Sequence, residues 1–413
     1  MQLEDIGFYT LNDERCKNSC VDSQLMRCEL ILTDACNFKC PYCRGLRDDV
    51  KGTLSLDKSK YIIDLWAKDN LKNIRFSGGE PTVYKGLLEL VEYTKSKGIE
   101  RIAISTNGSA DFELYQKLID EGVNDVSISL DACCSSYGDM MAGGIEGAWV
   151  KVIENIKKIA KLTYVTLGVV VTEDTIADLK NTIEFAASMG VADIRIISSA
   201  QYNQLLEMAK TVSKDVYTKY PILKYRIENL NNQRNVRGLN RTDSHMCGLI
   251  LDDMAIAGEY HFPCIIYMRE HGNAIGEISE NMREERFKWS REHNCYKDDI
   301  CRNNCLDVCI DYNNKHNYYQ IKNQNIVPML DSTLFTYDIW EAGSVHDFGI
   351  EHFRFDNLQD HKSKFKKNLL GYCFAEKLSC RPKENEVALM YEMNGKKFWF
   401  HIRNNEFIEL FLR

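Results

Sequence analysis

Residues 28–45 read CELILTDACNFKCPYCRG, an apolar strand pattern that runs directly into a loop with three cysteines. These are Cys36, Cys40 and Cys43, in the spacing CxxxCxxC. Soft thiolate ligands favour iron–sulfur clusters or zinc, and a structural zinc site normally takes four protein ligands. Three thiolates on one short loop suit a [4Fe–4S] cluster that leaves one iron open. The spacing therefore predicts a reactive metal centre. A zinc loop or three unligated thiols is the alternative.

Outward from this stretch, apolar strand patterns alternate with segments of helical period. The predicted strands lie near residues 28–34, 73–77, 101–105, 125–130, 164–171 and 192–198. The predicted helices lie near residues 57–70, 84–97, 111–121, 144–161 and 174–188. Repeated βα units require a parallel sheet with helical crossovers, and six units are too few for a closed eight-stranded barrel. The sequence therefore predicts the α/β class with an open, partial TIM-like barrel.

A second motif, Ser77-Gly78-Gly79-Glu80-Pro81, follows the second predicted strand. Active sites of parallel barrels gather at the C-terminal ends of the strands, and both motifs fall there. With CxxxCxxC, Tyr42 before the third cysteine and this GGE motif, the chain resembles the radical S-adenosylmethionine (radical SAM) superfamily. The resemblance covers residues 28–200 well and implies a (β/α)6 core. Taken alone, SGGEP is equally typical of an ordinary strand-to-helix turn.

The resemblance also implies a chemistry. The three cysteines would hold a [4Fe–4S] cluster whose open iron binds the amino and carboxylate groups of S-adenosylmethionine. Reductive cleavage would give a 5′-deoxyadenosyl radical that abstracts hydrogen from a substrate, with an external electron donor of the flavodoxin or ferredoxin type. The implied cofactor-binding residues are Tyr42, Gly78, Gly79, Glu80, Asn107, Ser129 and Asp131. The two glycines would admit the methionine amine to the backbone, and Glu80 would place negative charge beside it. Asn107 and Asp131 are equally compatible with turns.

After residue 205 the alternation stops and a second group of cysteines begins. Its members are Cys247, Cys264, Cys295, Cys301, Cys305 and Cys309. A strand, a tight turn at Gly258-Glu259 and a return strand are predicted between the first two. In a long chain without a secretion signal, cysteines at such spacings are more plausibly metal ligands than disulfides.

This second group resembles the SPASM or twitch extension of radical SAM enzymes, which implies at least one auxiliary iron–sulfur cluster. The thiols that best match a first auxiliary cluster are Cys247, Cys264 and Cys305. The thiols that would form a second cluster, or complete the first, are Cys295, Cys301 and Cys309. Glu292 stands where the first cysteine of the family's block would fall, which puts a full second cluster in doubt. A zinc site or unligated thiols is the alternative.

These patterns divide the 413 residues into four predicted parts. They are an N-terminal extension (1–27), the partial barrel (28–205), the auxiliary region (206–310) and a C-terminal module of unknown role (311–413). In the last part, Asn394-Gly395 lies between two apolar, aromatic runs, which predicts a β-hairpin.

The bulk properties exclude several classes of protein. The net charge is −8 and the pI about 5.7, which argues against attraction to nucleic acid by the overall field. No apolar run approaches the ~18 residues of a membrane span. The N-terminus lacks a signal-peptide pattern, so we expect a cytoplasmic protein.

The substrate stays open between a small molecule and a peptide. SPASM-type enzymes modify peptides by thioether formation, epimerisation or sulfatase maturation, and others act on small molecules. The cysteine motif begins at residue 36, which leaves no room for a leader-binding domain and favours a small molecule. The chain ends in ELFLR without a glycine-rich tail, which disfavours a cyclic-pyranopterin-synthase-like role. A non-catalytic Fe–S or zinc protein is the alternative of another class.

Overall fold

The computed structural model describes residues 15–198, 203–240, 243–322, 386–393, 396–403 and 406–412. The strands are β1 (Arg27–Thr33), β2 (Asn73–Gly78), β3 (Arg101–Thr106), β4 (Asp125–Ser129), β5 (Tyr164–Val171), β6 (Asp193–Ser198), β7 (Asp253–Ala257), β8 (Tyr260–Phe262), β9 (Gly276–Glu277), β10 (Glu386–Met393), β11 (Lys396–Arg403) and β12 (Glu406–Leu412). The helices are α1 (Leu56–Lys68), α2 (Leu87–Ser96), α3 (Phe112–Glu121), α4 (Ser135–Met141), α5 (Ala148–Ile159), α6 (Leu179–Ala187), α7 (Lys214–Tyr217), α8 (Pro221–Asn231), α9 (Ile265–Arg269), α10 (Met282–Glu292), α11 (Asp299–Asn304) and α12 (Asp307–Lys322).

Nine strands form one sheet in the order β6-β5-β4-β3-β2-β1-β7-β8-β9. Strands β1 to β6 pair in parallel with their neighbours, and β7 pairs in parallel with the other side of β1. In the described part of the chain no pairing joins β6 to β9, so the sheet stays open. The predicted α/β class and partial barrel are confirmed.

The strands of the barrel are apolar because both of their faces are covered. Six of the seven residues of β1 and seven of the eight residues of β5 are buried. Helix α5 buries Val152, Ile153, Ile156 and Ile159, which recur at helical spacing on its inner face. All six predicted barrel strands and five predicted helices are confirmed to within a few residues.

Helix α4 is an element that the sequence pattern does not predict. Its sequence SSYGDMM has little apolar periodicity and contains Gly138, which normally weakens a helix. A Cβ built on Gly138 would lie 2.0 Å from the Trp149 ring, so the glycine lets α4 pack closely against α5. Tertiary packing therefore overrides local propensity here.

The cysteine-rich region begins by extending the barrel sheet. Residues Arg27 and Leu30 of β1 pair with Asp253 and Ile256 of β7. Strands β7 and β8 then form the predicted hairpin, with Gly258 at φ 59° in the turn. The parallel pairing to β1 is not predicted from the sequence. The division at residue 205 stays a prediction, and the sheet continues across it.

A buried arginine joins this hairpin to α10. The Arg286 guanidinium donates hydrogen bonds to the carbonyls of Ile250 (2.8 Å), Phe262 (2.8 Å) and Pro263 (3.1 Å). Burial lowers the pKa of Arg286 to about 10. The three carbonyls fix where the chain turns into the Cys264 segment.

Strands β10, β11 and β12 form a separate antiparallel sheet. The pairing of Leu389 with Phe400 and of Met393 with Lys396 confirms the predicted hairpin. Its predicted turn, Asn394-Gly395, lies outside the described residues. None of the helices described is long and apolar enough to cross a membrane.

Candidate functional site

A cavity of about 240 Å³ opens where the barrel strands end. Nine of the ten residues predicted for the barrel site line it. They are Cys36, Cys40, Tyr42, Cys43, Gly78, Gly79, Asn107, Ser129 and Asp131. The tenth, Glu80, does not. The residues come from four different strand ends, so only the parallel barrel brings them together.

The three cysteines of the first loop form one wall of the cavity. The backbone N–H groups of Phe38 and Gly45 donate to the sulfurs of Cys36 and Cys43, each at 3.4 Å. Burial, with repulsion from Asp131 and Cys43, raises the pKa of Cys40 to about 12. A bound cation would keep these sulfurs as thiolates at neutral pH. The donor set, three sulfurs beside an open cavity, fits an iron–sulfur cluster with one free iron.

At Gly78 and Gly79, the end of β2 packs closely against the segment that leads into the cysteine loop. A Cβ on Gly78 would lie 2.3 Å from the Thr33 carbonyl oxygen, and one on Gly79 would lie 2.3 Å from the Ala35 carbonyl oxygen. The Gly79 N–H donates to Thr33 O at 2.7 Å, and the Glu80 N–H donates to Ala35 O at 2.9 Å. Sequence reasoning assigned the glycines to the cofactor. The structure adds that they set the position of the cysteine loop.

The Glu80 carboxylate lies behind the cavity wall instead of in it. One oxygen accepts hydrogen bonds from the Thr82 hydroxyl (2.6 Å), the Thr82 N–H (3.1 Å) and the Thr106 hydroxyl (2.7 Å). The other accepts the Asn107 N–H at 2.6 Å. The side chain is 1% exposed, and burial raises its pKa. In this position Glu80 fixes the end of β3 through its hydrogen bonds to Thr106 and Asn107, and it places no charge in the cavity.

A glutamine at position 80 is expected to destabilise the protein by about 1–3 kcal/mol, because one amide nitrogen cannot accept the bonds now made to a buried carboxylate. Loss of the hydrogen bond from the Asn107 N–H should also shift Asn107 and weaken the binding of S-adenosylmethionine in the cavity. Thermal unfolding of Glu80→Gln measures this. The matched control is Glu154→Gln on the exposed face of α5, which should leave the midpoint unchanged. An unchanged midpoint for Glu80→Gln would contradict this account.

Asn107, Tyr42 and Asp131 connect the cysteine loop to strands β3 and β4. The Asn107 amide nitrogen lies 4.0 Å from the Cys36 sulfur and donates to Asn37 at 2.9 Å. The Tyr42 hydroxyl donates to Asp131 at 2.5 Å. Burial raises the pKa of Asp131 to about 6. These contacts brace the loop against the barrel.

Sequence reasoning missed Arg195, which lies in β6 and lines the same cavity. The sequence does contain an indication of this role, because Arg195 is a charged residue within the apolar strand ADIRIIS. Among the described residues, the guanidinium makes one long hydrogen bond, 3.3 Å, to the Ser127 hydroxyl, and its buried Nε has no partner there.

Arg195 differs from the other arginines inside the barrel. Arg75 pairs with Asp125 at 3.0 Å and Arg27 with Asp253 at 3.4 Å. Within the described ranges Arg195 makes no ion pair, although the Glu29 carboxylate attracts it electrostatically. Burial, with repulsion from Arg75 and Arg27, lowers the pKa of Arg195 to about 10, so it still carries a positive charge at neutral pH. A buried cation facing a cavity is a binding group for an anion.

The six cysteines of the second group lie in one cluster. Their thiols hydrogen-bond in two sets: Cys295 interacts with both Cys247 and Cys301, and Cys305 interacts with Cys309. Cys264 interacts electrostatically with members of both sets. The N–H of Tyr267 donates to the sulfur of Cys264 at 3.4 Å. The structure thus brings all six predicted ligands together from the segment before β7, the start of α9, the loop between α10 and α11, α11 with its C-terminal end, and α12.

The cysteine-rich region contacts the first cysteine loop directly. Arg44 forms an ion pair with Glu270, and Arg47 donates to the Gly272 carbonyl. Arg269, at the end of α9, lines the cavity. The two cysteine groups are therefore parts of one connected surface around the cavity mouth.

Comparisons with known proteins agree with this geometry. Residues 30–186 match the family model of the radical SAM superfamily. The chain is 29% identical over 203 residues to a probable GTP 3′,8-cyclase of Sulfurisphaera tokodaii, covering 46% of this chain and 64% of that protein. It is 31% identical over 173 residues to a probable GTP 3′,8-cyclase of Sulfolobus acidocaldarius, covering 41% and 54%. This chain therefore spans somewhat over half the length of these relatives.

Among solved structures, the fold is similar to that of Streptococcus suis SuiB bound to the precursor peptide SuiA. The TM-score is 0.50 at 13% identity, and the match covers 70% of this chain and 76% of SuiB. At this identity the likeness concerns the fold alone. The family match agrees with the arrangement of the cysteine loop and the glycine pair at the cavity. Residues 30–186 of this chain form a domain of the radical SAM superfamily.

Proposed function

We propose that this protein is a radical SAM enzyme that cleaves S-adenosylmethionine reductively and removes hydrogen from an anionic substrate. One observation carries the proposal: three cysteine sulfurs and the glycine pair meet at one cavity at the strand ends. When bound and reduced, the [4Fe–4S] cluster and S-adenosylmethionine together supply a 5′-deoxyadenosyl radical that abstracts hydrogen from a C–H bond. An external one-electron donor of the flavodoxin or ferredoxin type would reduce the cluster.

In this proposal the chain's own residues position and enclose the cofactor. Cys36, Cys40 and Cys43 hold three irons. The backbone of Gly78 and Gly79 approaches the methionine amine. The residues proposed to hold the remaining parts of the cofactor are Asn107, Ser129, Asp131 and Tyr42, all in the cavity wall. Glu80 acts indirectly, because its carboxylate accepts a hydrogen bond from the Asn107 N–H on the side away from the cavity.

We extend the proposal to residues 206–310, where an auxiliary iron–sulfur cluster would lie beside the cavity. The proposed ligands are Cys247, Cys264, Cys305 and Cys309. The first three match the family pattern, and the hydrogen bond between the thiols of Cys305 and Cys309 supports adding the fourth. Contacts from Arg44 and Arg47 to the Cys264 segment hold this region against the barrel.

The proposed substrate is a small molecule that carries a carboxylate or phosphate. Arg195 supports this, because a buried cation without an ion pair gains a charge-assisted hydrogen bond when an anion enters. The sequence relatives include proteins named for GTP, which carries phosphates. GTP is therefore the first pure compound to test, and a peptide substrate is the competing outcome.

The test measures release of 5′-deoxyadenosine by the anaerobically reconstituted, full-length protein with dithionite and S-adenosylmethionine. Cell extract is first divided by size into peptide and small-molecule fractions, and the small molecules are divided by anion exchange into anionic and neutral fractions. GTP and guanosine are assayed beside them. We expect the anionic fraction to stimulate release. No release under any condition would favour a non-catalytic Fe–S or zinc protein. Stimulation by the neutral or peptide fraction alone would contradict an anionic substrate.

Replacing Arg195 with glutamine is expected to raise the KM for the stimulating anion roughly 10- to 100-fold, because a hydrogen bond to a charged group is worth about 1.5–3 kcal/mol. Basal cleavage without substrate and the affinity for S-adenosylmethionine should not change. Arg195→Lys keeps the charge and should retain part of the affinity. If Arg195→Gln instead weakened binding of S-adenosylmethionine, the arginine would serve the cofactor's carboxylate, and the substrate proposal would be wrong.

A further inference from the structure

His293 lies among the cysteines of the second group, although the cysteine pattern does not include it. It stands immediately after Glu292, the position where a cysteine of the family's block is replaced. Its Nε2 lies 3.8 Å from the Cys301 sulfur. The ligand atoms of His293, Cys295 and Cys301 all lie within 4.8 Å of one another. Across the described ranges, they form the one group of three such residues with this spacing.

That spacing suits a single ion. Two ligands of one Zn²⁺ ion can lie no farther apart than the sum of their bond lengths, about 4.6 Å for two thiolates. In an iron–sulfur cube, each protein thiolate binds a different iron, so the sulfurs must lie farther apart. With its ligand atoms within 4.8 Å of one another, the His293 group is therefore close to the spacing of a mononuclear centre.

The surroundings of His293 fix its ring. Trp289, one helical turn earlier on α10, stacks on the imidazole with a centroid distance of 3.9 Å and an angle of 17°. Tyr267 packs edge-on against the imidazole and donates its hydroxyl to Asp298 at 2.9 Å. An Asp298 oxygen lies 3.6 Å from Nε2. These contacts hold the ring nitrogen toward the sulfurs and place a carboxylate next to it.

We propose that His293, Cys295 and Cys301 bind one Zn²⁺ ion, with Asp298 or a water as the fourth ligand, separately from the auxiliary cluster. One imidazole and two thiolates form a ligand set that zinc favours. The ion would join the end of α10 to the start of α11. Cys295 also contacts Cys247, so the zinc ion and the auxiliary cluster would be adjacent. The zinc site does not depend on radical chemistry. Only the allocation of the other four thiols rests on the proposed function.

The experiment measures zinc and iron per chain in the full-length, reconstituted protein and in His293→Ala. We expect about one zinc per wild-type chain. The alanine variant should lose the zinc and keep the iron. The matched control is His271→Asn, an exposed histidine at φ 64°, where asparagine tolerates the backbone conformation. The control should keep both metals. Cys305→Ala should lose the iron of the auxiliary cluster but not the zinc.

A second variant covers the case in which His293→Ala fails to fold. His293→Cys supplies a thiolate at the same place, so it should retain zinc, and zinc-edge X-ray absorption should change from mixed nitrogen and sulfur ligands toward sulfur alone. Three results would overturn the proposal: no zinc in the wild type, zinc retained in folded His293→Ala, or iron lost with His293. The last would make the histidine a ligand of the auxiliary cluster instead. An unchanged zinc-edge spectrum in His293→Cys would overturn it as well.

Discussion

An alanine at position 40 is expected to abolish the release of 5′-deoxyadenosine and to remove the iron bound by the first cysteine loop. Cys40 is the most buried of the three loop cysteines and lies between the other two. Two remaining thiolates cannot hold a cube that must leave one iron open. Iron and sulfide analysis and electron paramagnetic resonance of the reduced protein measure the loss. The same result is expected for Cys36→Ala and Cys43→Ala.

The matched control is Cys20→Ser, which changes an exposed thiol away from the loop. It should retain cleavage and iron content. Iron in the second cysteine group should persist in Cys40→Ala, so the total should fall by the content of one cluster. Cleavage activity that survived in Cys40→Ala would contradict the assignment of this loop as the cofactor site.

Gly79→Ala is expected to have the second large effect. The added Cβ would come within 2.3 Å of the Ala35 carbonyl oxygen and 2.6 Å of the Asp34 carbonyl oxygen. Backbone atoms cannot rotate away as a side chain can, so the start of the cysteine loop must move. Overpacking of this kind costs about 1–3 kcal/mol. Because the displaced segment carries Cys36, iron content and cleavage rate should fall roughly tenfold or more.

A glycine in open space separates this clash from the general cost of removing glycine. Gly190 has φ 76° and no atom within 4 Å of an added Cβ. Gly190→Ala should therefore cost only the backbone strain, roughly 1–2 kcal/mol, with full iron content. Thermal unfolding and iron analysis of both variants make the comparison. Equal iron content in the two variants would show that the close approach does not position the loop.

The barrel was predictable because its signals are local. Six apolar runs, separated by five segments of helical period, specify parallel strands, and glycines end several of the helices. Gly98, Gly122 and Gly190 all have positive φ at the predicted helix ends. The cysteine spacing and the GGE motif placed most of the cavity wall at the strand ends for the same reason. The predicted hairpin at Gly258 also followed from turn chemistry.

What the sequence could not give depends on contacts between distant residues. Nothing local in residues 253–257 indicates pairing with β1. Glu80 follows two cavity glycines, yet its hydrogen bonds to Thr106 and Asn107 turn it away from the cavity. Arg195 looks like an interruption of an apolar strand until its neighbours across the barrel are known. His293 gained its interest only from the position of its ring nitrogen.

The pairing of β7 with β1 has a consequence for how the protein can be divided. Strand β1 lies between β2, which leads to the glycine pair, and β7, which leads to Cys264. A fragment ending near residue 205 would uncover one side of β1, leaving an unsatisfied edge of buried, apolar backbone that invites self-association. Residues 28–205 are therefore not a separable module. Removing the rest of the chain would expose the strand that leads into the cysteine loop.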